Sequence, residues 1–241
     1  MRLVDHSFAD PGENLALEEI LLDEVEQGRQ PETLRFWESA QPFVVLGTGQ
    51  VLAQEVAEAH CAEDGVPVLR RCTAGGCVLQ GPGSLNYSLF LSYEQTPDVA
   101  TLHGSYRYIM GAMCDALGTL GIVATHEGVS DMAVGGRKVS GNAQRRRRRA
   151  LLHHGTLLYD ARLKAMARYL REPADRPAYR DTRSHEAFVT TLEATPEALR
   201  VAVINALAPT ASRDDITEAE MGRAQALALE KYNTRAWTYR R

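Results

Sequence analysis

The chain has 241 residues, 44% of them hydrophobic, which is enough for one substantial core. With a net charge of −4 and a pI of about 6.0, it has no overall positive field, which argues against nucleic acid as a partner. No apolar run approaches the roughly 20 residues of a membrane span, the N-terminus has no apolar signal core, and the four cysteines show no CxxC spacing, so we expect a cytoplasmic protein with reduced thiols and no zinc site.

The first two thirds of the chain alternate between strand patterns and helix patterns. Runs of strand-forming residues predict strands at 1–6, Thr33–Trp37, Phe43–Leu46, 67–70 and 84–91. Asp10 followed by Pro11 predicts the start of a helix, and apolar residues at helical spacing predict further helices at about 53–63, 102–120 and 163–170.

The C-terminal part is predicted to be mostly helical. Residues 172–186 contain two prolines and many charges, which predicts an exposed loop. Beyond it, Thr195 precedes Pro196 as an N-cap, and Thr217 forms a capping box with Glu220. Strands interspersed with helices, without regular βαβ alternation, predict an α+β fold in which a mixed or antiparallel sheet is flanked by helices.

The centre of the chain predicts a β-hairpin closed by the two-residue turn Gly135-Gly136. This turn would pair Val134 with Arg137, Ala133 with Lys138 and Asp131 with Ser140. One strand face would then carry Asp131, Lys138, Ser140, Asn142 and Gln144, and the other Val139, Gly141 and Ala143. Asp131 and Lys138 would lie diagonally, with backbones roughly 7–8 Å apart, within reach of one small anionic ligand. An ordinary exposed strand face is the alternative.

Five consecutive arginines, residues 145–149, follow this strand. Like charges repel one another and stay hydrated, so a solvated hairpin tip is one interpretation. A docking surface for an acidic carrier domain or for nucleotide phosphates is the other, and the sequence leaves both open. His153 and His154 are expected to form hydrogen bonds at a strand end rather than to bind metal, since no carboxylate cluster accompanies them.

A glycine-rich stretch, RRCTAGGCVLQG at residues 70–81, lies upstream. Glycines such as Gly75 and Gly76 let backbone N–H groups approach phosphate oxygens, and arginines add charge in a fixed geometry. A tight turn between strands is the alternative, because a paired glycine alone is a weak signal.

These stretches, in this order and spacing, resemble the lipoate–protein ligase A family and its relatives, the octanoyl and biotinyl transferases. The resemblance is carried by the glycine-rich stretch, KVSGNA (138–143), HGTLL (154–158), NLALEE (14–19) and LRFW (34–37). It covers nearly the whole chain and implies a single catalytic domain over residues 1–241, with a helical part at about 195–241. The implied fold is that of class II aminoacyl-tRNA synthetases and biotin ligases, without the C-terminal accessory domain of the longer ligases.

The resemblance implies a two-step reaction that uses ATP, Mg²⁺ and lipoate or octanoate. The acid first forms an acyl-adenylate, and a lysine of a lipoyl carrier domain then takes the acyl group. Lys138 would be catalytic, Asp131 would hold Mg²⁺ or the adenosine side, and a separate accessory-domain protein would complete the enzyme. The implied binding residues for ATP and the acyl-adenylate are Arg71, Gly75, Gly76, Cys77, Val78, Leu79, Asp131, Lys138, Ser140 and Gly141.

The chain departs from the family pattern at several positions. Ala74 replaces a glycine, Gln80 replaces a histidine, and Ser130 replaces an asparagine. The transferase relatives use a cysteine nucleophile, yet no cysteine here matches their cysteine positions; Cys72 and Cys77, which flank the glycine turn, are interpreted as core residues. A thioester-dependent transferase and a non-catalytic relative that binds carrier domains are therefore the two alternatives.

Overall fold

The computed structural model describes residues 1–173 and 176–241, and it is an α+β fold as predicted. The strands are β1 (Arg2–Asp5), β2 (Thr33–Trp37), β3 (Phe43–Leu46), β4 (Val68–Arg70), β5 (Val78–Gln80), β6 (Ser84–Ser92), β7 (Ala124–Glu127), β8 (Asp131–Val134), β9 (Arg137–Arg146), β10 (Ala150–Leu158) and β11 (Ser212–Arg213). The helices are α1 (Pro11–Glu26), α2 (Leu52–Glu55), α3 (Glu58–Glu63), α4 (Leu102–Gly118), α5 (Leu163–Tyr169), α6 (His185–Phe188), α7 (Pro196–Leu207), α8 (Glu218–Leu227) and α9 (Arg235–Thr238).

The strands form one large and one small sheet. The large sheet has the order β11-β1-β2-β6-β10-β9-β8-β7, with parallel pairing at β11-β1-β2 and antiparallel pairing elsewhere. In the small sheet, β3 lies between parallel β4 and antiparallel β5. The predicted mixed sheet is confirmed, and the small sheet presents the glycine-rich loop between β4 and β5 to the large one.

Helices cover both faces of the large sheet. Successive side chains of a strand point to opposite faces, so Leu151 packs into a core with α4, whereas Leu152 packs into a core with α1. Helix α8 packs on α1, and α7 packs on α4.

No helix in the described ranges is long and apolar enough to cross a membrane.

Two element predictions are wrong. The single helix expected at 53–63 is two short helices, because Val56 is extended (φ −120°, ψ 136°) and bridges to Leu170. The exposed loop expected at 172–186 contains a helical turn at Ala178–Arg180, in which the Arg180 guanidinium is buried against Phe188. Residues 174 and 175 of that loop lie outside the described residues.

A buried ion pair joins the two ends of the chain. The Arg2 guanidinium donates to both carboxylate oxygens of Glu220 at 2.7 and 2.9 Å, with both side chains nearly inaccessible to solvent. Glu220 also completes the predicted capping box with Thr217. Burial alone would raise the pKa of Glu220, but the hydrogen bonds from Arg2 and Thr217 lower it below its ordinary value of 4.5. The stabilisation is therefore present at neutral pH and is lost as the pH falls through the lowered pKa.

Replacing Arg2 by alanine should lower the free energy of unfolding by about 3–5 kcal/mol, because the Glu220 carboxylate would remain buried without its partner. Urea denaturation at neutral pH measures this loss. Arg213→Ala is the control: Arg213 is an exposed arginine whose Nη2 lies 4.0 Å from an Asp5 carboxylate oxygen, and its loss should be much smaller. Equal losses in the two variants would contradict this role of the buried pair.

Candidate active site

A cleft lies between the glycine-rich loop and strand β9. It consists of a cavity of about 140 Å³ and an adjoining one of about 480 Å³. Both are lined by Gly76, Cys77, Val78, Gln80, Ser130, Asp131, Lys138, Gly141 and Thr156. Every residue predicted for the ligand site lines at least one of these cavities, except Ser140, which is fully buried behind the strand. Two motifs that are far apart in sequence are thus brought to one place.

The lysine hairpin has a β-bulge that the sequence did not reveal. Val134 pairs with Arg137 and Ala133 with Lys138, as predicted, but Asp131 pairs with Gly141. The predicted Asp131–Ser140 pair is wrong, because Val139 is an extra residue on β9, and alternation alone cannot locate such an insertion.

The bulge also changes which residues share a face. Gly141 and Ala143 line the cleft with Lys138, instead of lying on the opposite face as expected. Asn142 and Gln144 make side-chain hydrogen bonds on the α4 side of the sheet, although Asn142 also lines the smaller cavity: Asn142 Oδ1 accepts from the Tyr87 hydroxyl at 2.5 Å, and Gln144 Oε1 accepts from the Ser105 hydroxyl at 3.0 Å.

The Lys138 ammonium forms an ion pair with Asp131 on this face. Nζ lies 2.7 Å from Asp131 Oδ1, and the Tyr179 hydroxyl donates to Asp131 Oδ2 at 2.8 Å. Gly141 makes the arrangement possible, because a Cβ at this position would lie 2.8 Å from Lys138 Nζ. Lys138 therefore lies across its own strand, partly exposed in the cleft, with its charge balanced by one carboxylate.

Arg71 shapes the glycine-rich loop from within. The guanidinium is buried and donates to the Ala74 and Gly76 carbonyls at 2.7 and 2.9 Å and to Thr73 Oγ1 at 2.8 Å. Burial lowers the pKa of Arg71 from its ordinary value of 12.5. Gly75 has a φ of +93°, a conformation that residues with a Cβ rarely adopt. The loop is thus held in one conformation by an internal cation.

A largely buried network that was not predicted as functional supports this loop, and its central residue, His154, also lines the smaller cavity. His154 Nδ1 lies 2.8 Å from Glu18 Oε2, and His154 Nε2 lies 2.8 Å from Thr73 Oγ1, the atom that also accepts from Arg71. Burial would raise the pKa of Glu18, but interaction with His154 lowers it. The sequence signal was present in the NLALEE and HGTLL stretches, but their contact depends on how α1 packs on β10.

Gln80 forms the floor of the cleft where the family pattern has histidine. Its Nε2 donates to Asn86 Oδ1 and Thr156 Oγ1, both at 2.8 Å. An amide does not titrate in the physiological range, so this position supplies hydrogen bonds and no proton-transfer group.

The cysteines near the loop are poor nucleophiles as they stand. Burial raises the pKa of Cys72, and burial, opposed by Arg71, raises the pKa of Cys77 to about 12. Both thiols are therefore protonated at neutral pH, and the thiolate is the reactive form. Their interpretation as core residues agrees with the burial of Cys72 and the partial burial of Cys77.

The cleft offers Asp131 as a carboxylate for a metal, but its oxygens already accept from Lys138 and Tyr179. Within residues 1–173 and 176–241, no three His, Cys, Asp or Glu side chains cluster as a metal site would require. Mg²⁺ at nucleotide sites is commonly held by one or two carboxylates together with phosphates. A metal ion bound by Asp131 would have to share the carboxylate with Lys138 and Tyr179.

The first three arginines of the run at 145–149 have partners within the chain, and the last two are exposed. Arg145 pairs with Glu19 at 3.0 Å, Arg147 lies 3.5 Å from Glu26, and Arg146 donates to the Ala100 carbonyl at 2.7 Å. The last two arginines, at 148 and 149, are exposed. The solvated-tip interpretation is thus wrong for the first three residues, because acidic side chains of α1 and a loop carbonyl take up their charge, whereas docking of an acidic carrier domain or of nucleotide phosphates stays a prediction.

The amino-acid sequence is similar to known ligases and transferases of one family. Residues 10–208 match the family described as the lipoyl protein ligase A/B catalytic domain. The lipoate-protein ligase LplJ of Bacillus subtilis is 30% identical over 177 residues, covering 73% of this chain and 51% of the relative. The octanoyltransferase LipM of Carboxydothermus hydrogenoformans is 30% identical over 268 residues, covering 99% and 98%. The chain therefore spans about half of LplJ and nearly all of LipM.

Solved structures show the same fold over the full chain. A bi-partite lipoate protein ligase from Thermoplasma acidophilum, solved as part of a lipoylation system with its E2 lipoyl domain, has a TM-score of 0.86 at 26% identity and covers 99% of this chain and 95% of that one. A lipoate-protein ligase A bound with ATP has a TM-score of 0.85 at 25% identity and covers 99% and 98%. The chain therefore belongs to the lipoate–protein ligase and octanoyltransferase family, as a lipoyl protein ligase A/B catalytic domain.

Proposed function

We propose that the protein is an ATP-dependent ligase that joins lipoate or octanoate to a lysine of a lipoyl carrier domain. One observation carries the proposal: the Lys138 ammonium, fixed by Asp131, faces the glycine-rich loop across the cleft. One fixed cation beside a row of loop backbone groups suits a reaction in which negative charge develops on phosphate and carbonyl oxygens.

The first step is attack of the fatty-acid carboxylate on the α-phosphate of ATP, which releases pyrophosphate and leaves an acyl-adenylate. In the second step the ε-amine of the carrier lysine attacks the acyl carbonyl, and AMP leaves. Lys138 stabilises the charge that develops in both steps, while Gly75, Gly76, Cys77, Val78 and Leu79 supply the wall that binds the nucleotide end. Arg71 contributes to nucleotide binding indirectly: it donates to loop carbonyls and so holds the loop in its conformation.

Magnesium, bound with the nucleotide, would supply charge neutralisation on the phosphates. Asp131 is the residue that would contribute an oxygen, and it would have to share that oxygen with Lys138 or Tyr179. Ser140 and Gly141 take part through the strand: Gly141 leaves room for the lysine, and Ser140, whose Oγ accepts from Asn142 at 3.3 Å, supports the bulge from behind.

The proposed acceptor is a lipoyl domain. The similarity to the Thermoplasma bi-partite ligase, which has an E2 lipoyl domain, supports both that acceptor and a second protein as part of the enzyme. The proposed catalytic domain covers residues 1–241, with 195–241 as its helical C-terminal part. The structure bound with ATP supports ATP as the co-substrate.

A thioester-dependent octanoyl or lipoyl transferase is the second candidate, because LipM matches this chain over almost its whole length. The protonated thiols of Cys72 and Cys77 favour the ligase over this candidate. The non-catalytic alternative is disfavoured by the assembled lysine, carboxylate and loop.

Lys138→Ala should lower both acyl-adenylate formation and acyl transfer by about 10²–10³-fold, the usual effect of losing one pre-organised charge donor. Lys138→Arg should not restore activity, because a planar guanidinium cannot occupy the place of a compact ammonium. Pyrophosphate release and mass spectrometry of the acylated carrier measure the two steps.

The control for this variant is Lys164→Ala, which removes an exposed lysine from α5. Arg137 is adjacent to Lys138 in sequence but is unsuitable as the control. Its Nη2 donates to the Val189 carbonyl at 2.7 Å and holds the neighbouring segment. Lys164→Ala should keep full activity, and full activity of Lys138→Ala would contradict the proposal.

Free lipoate or octanoate with Mg-ATP should be the productive acyl donor, and the double variant Cys72→Ser with Cys77→Ser should retain transfer, because neither thiol is poised to ionise. Parallel assays with an acyl carrier protein thioester, without ATP, provide the comparison. Comparable transfer from the thioester, or a covalent acyl-cysteine found by mass spectrometry, would establish the transferase instead.

Replacing Arg148 and Arg149 by glutamine should raise the KM for the carrier domain and leave acyl-adenylate formation unchanged. These residues lie past the far end of β9, which is itself roughly 26 Å from Lys138 at about 3.3 Å per residue, so they would contact the body of the carrier and not its target lysine. The effect should disappear in high salt, where exposed charges are screened. An unchanged KM for the carrier at low salt would contradict docking at Arg148 and Arg149, which would then be residues of a solvated turn.

A further inference from the structure

We infer that Tyr179 is a positioning residue for Lys138 and acts through the Asp131 carboxylate. The inference rests on the proposed role of Lys138 and deepens it. Asp131 has two oxygens and a different partner on each: Lys138 Nζ at 2.7 Å from Oδ1, and the Tyr179 hydroxyl at 2.8 Å from Oδ2. A carboxylate held at one oxygen can swing about its side-chain torsion, whereas one held at both oxygens cannot.

The chemistry of Tyr179 is that of a permanent donor. Burial, together with the neighbouring Asp131 charge, raises the pKa of Tyr179 above its ordinary value of 10. The phenol therefore stays protonated and donates to the carboxylate, an interaction stronger than a hydrogen bond between neutral groups. It has one proton to donate and directs it at Asp131, so we assign it no acid or base role.

Tyr179 belongs to a segment, residues 176–189, that we name the strap. The strap lies over the larger cavity and contributes Arg176, Pro177, Arg180, His185, Phe188 and Val189 to its lining. Tyr179 packs against Phe188 within the strap, with ring centroids 5.0 Å apart. The wall of the ligand cleft and the partner of Asp131 are thus the same piece of chain.

Several contacts independent of the tyrosine hydroxyl fix the strap to the lysine hairpin. Arg183 Nη1 donates to the Gly136 carbonyl at 2.8 Å, and Arg137 Nη2 donates to the Val189 carbonyl at 2.7 Å. Directly after the strap, the Thr190 N–H donates to the Lys138 carbonyl at 2.8 Å. Removing only the hydroxyl of Tyr179 should therefore leave the strap in place and release only the Asp131 carboxylate.

The test is a double-mutant cycle with Tyr179→Phe and Asp131→Asn. Acyl transfer to a lipoyl domain is measured with whichever acyl donor the unmodified protein accepts. Tyr179→Phe alone should lower kcat about tenfold, the order expected for one hydrogen bond to a charged group, and leave the KM for the acyl donor within roughly twofold. In the Asp131→Asn background, the same change should cost no more than roughly twofold, because its target is already altered.

Tyr159→Phe is the matched control, since the Tyr159 hydroxyl also donates to a carboxylate, that of Glu38 at 2.9 Å, but lines neither cavity. It should leave kcat unchanged. A tenfold loss from Tyr179→Phe in both backgrounds would overturn the inference, as would an unchanged kcat in the single variant.

A readout without substrate separates this inference from the proposed reaction. The Lys138 ammonium, identified by its absence in Lys138→Ala, should give an ordered hydrogen–nitrogen NMR signal in the free protein. That signal should broaden in Tyr179→Phe and persist in Tyr159→Phe. If the protein transfers acyl groups from neither donor, the proposed function fails, and this signal still decides the role of Tyr179: a signal unaffected by Tyr179→Phe would overturn it.

Discussion

The ion pair between Lys138 and Asp131 is the interaction on which the arrangement of the cleft depends. It connects the two strands of the hairpin across the bulge, and its carboxylate reaches on to the strap through Tyr179. An ammonium that is partly exposed and has one fixed partner keeps its charge and its position without the full cost of burial. The hairpin, the strap and the opposite glycine-rich loop are thus organised around one cation.

The glycine-rich loop is organised by a second cation, Arg71, which also lines the smaller cavity. Arg71 is enclosed by its own loop and donates to the carbonyls of Ala74 and Gly76. Thr73 then links this guanidinium to His154 and, through it, to Glu18 of helix α1. A buried charge is stable only when its hydrogen-bonding capacity is used, so this network ties the shape of the loop to the packing of α1 on the sheet.

Helix α1 therefore carries polar residues on its buried face, which in most helices is apolar. Asn14 and Glu18 are buried, and each has a partner that is itself buried or nearly so: Arg35 for Asn14 and His154 for Glu18. On the same helix, Glu19 faces Arg145 near the end of β9, and Glu26 faces Arg147, which follows the strand. One helix thus supports the loop at its first half and pairs, through Glu19 and Glu26, with two of the five successive arginines, Arg145 and Arg147.

Local sequence was sufficient for much of this protein. The N-caps at Asp10, Thr195 and Thr217, the Gly135-Gly136 turn and the first two hairpin pairs depend on residues close in the chain, and all are present in the structure. The lysine and glycine-rich motifs likewise predicted the two walls of the cleft, because a lysine supplies a cation and glycines expose backbone N–H groups wherever they lie in the fold.

Tertiary structure alone decided the rest. The bulge at Val139, the extended break at Val56 and the inward pairing of Arg145 are set by packing against distant elements, which no local pattern encodes. Tyr179 lies 48 residues from Asp131 in a segment that reads as an exposed loop, so nothing in its neighbours marks it as a partner of the site. Side-chain identity thus determined which chemistry is available, and long-range packing determined which groups meet, because hydrogen bonds and ion pairs depend on distances that only the folded chain sets.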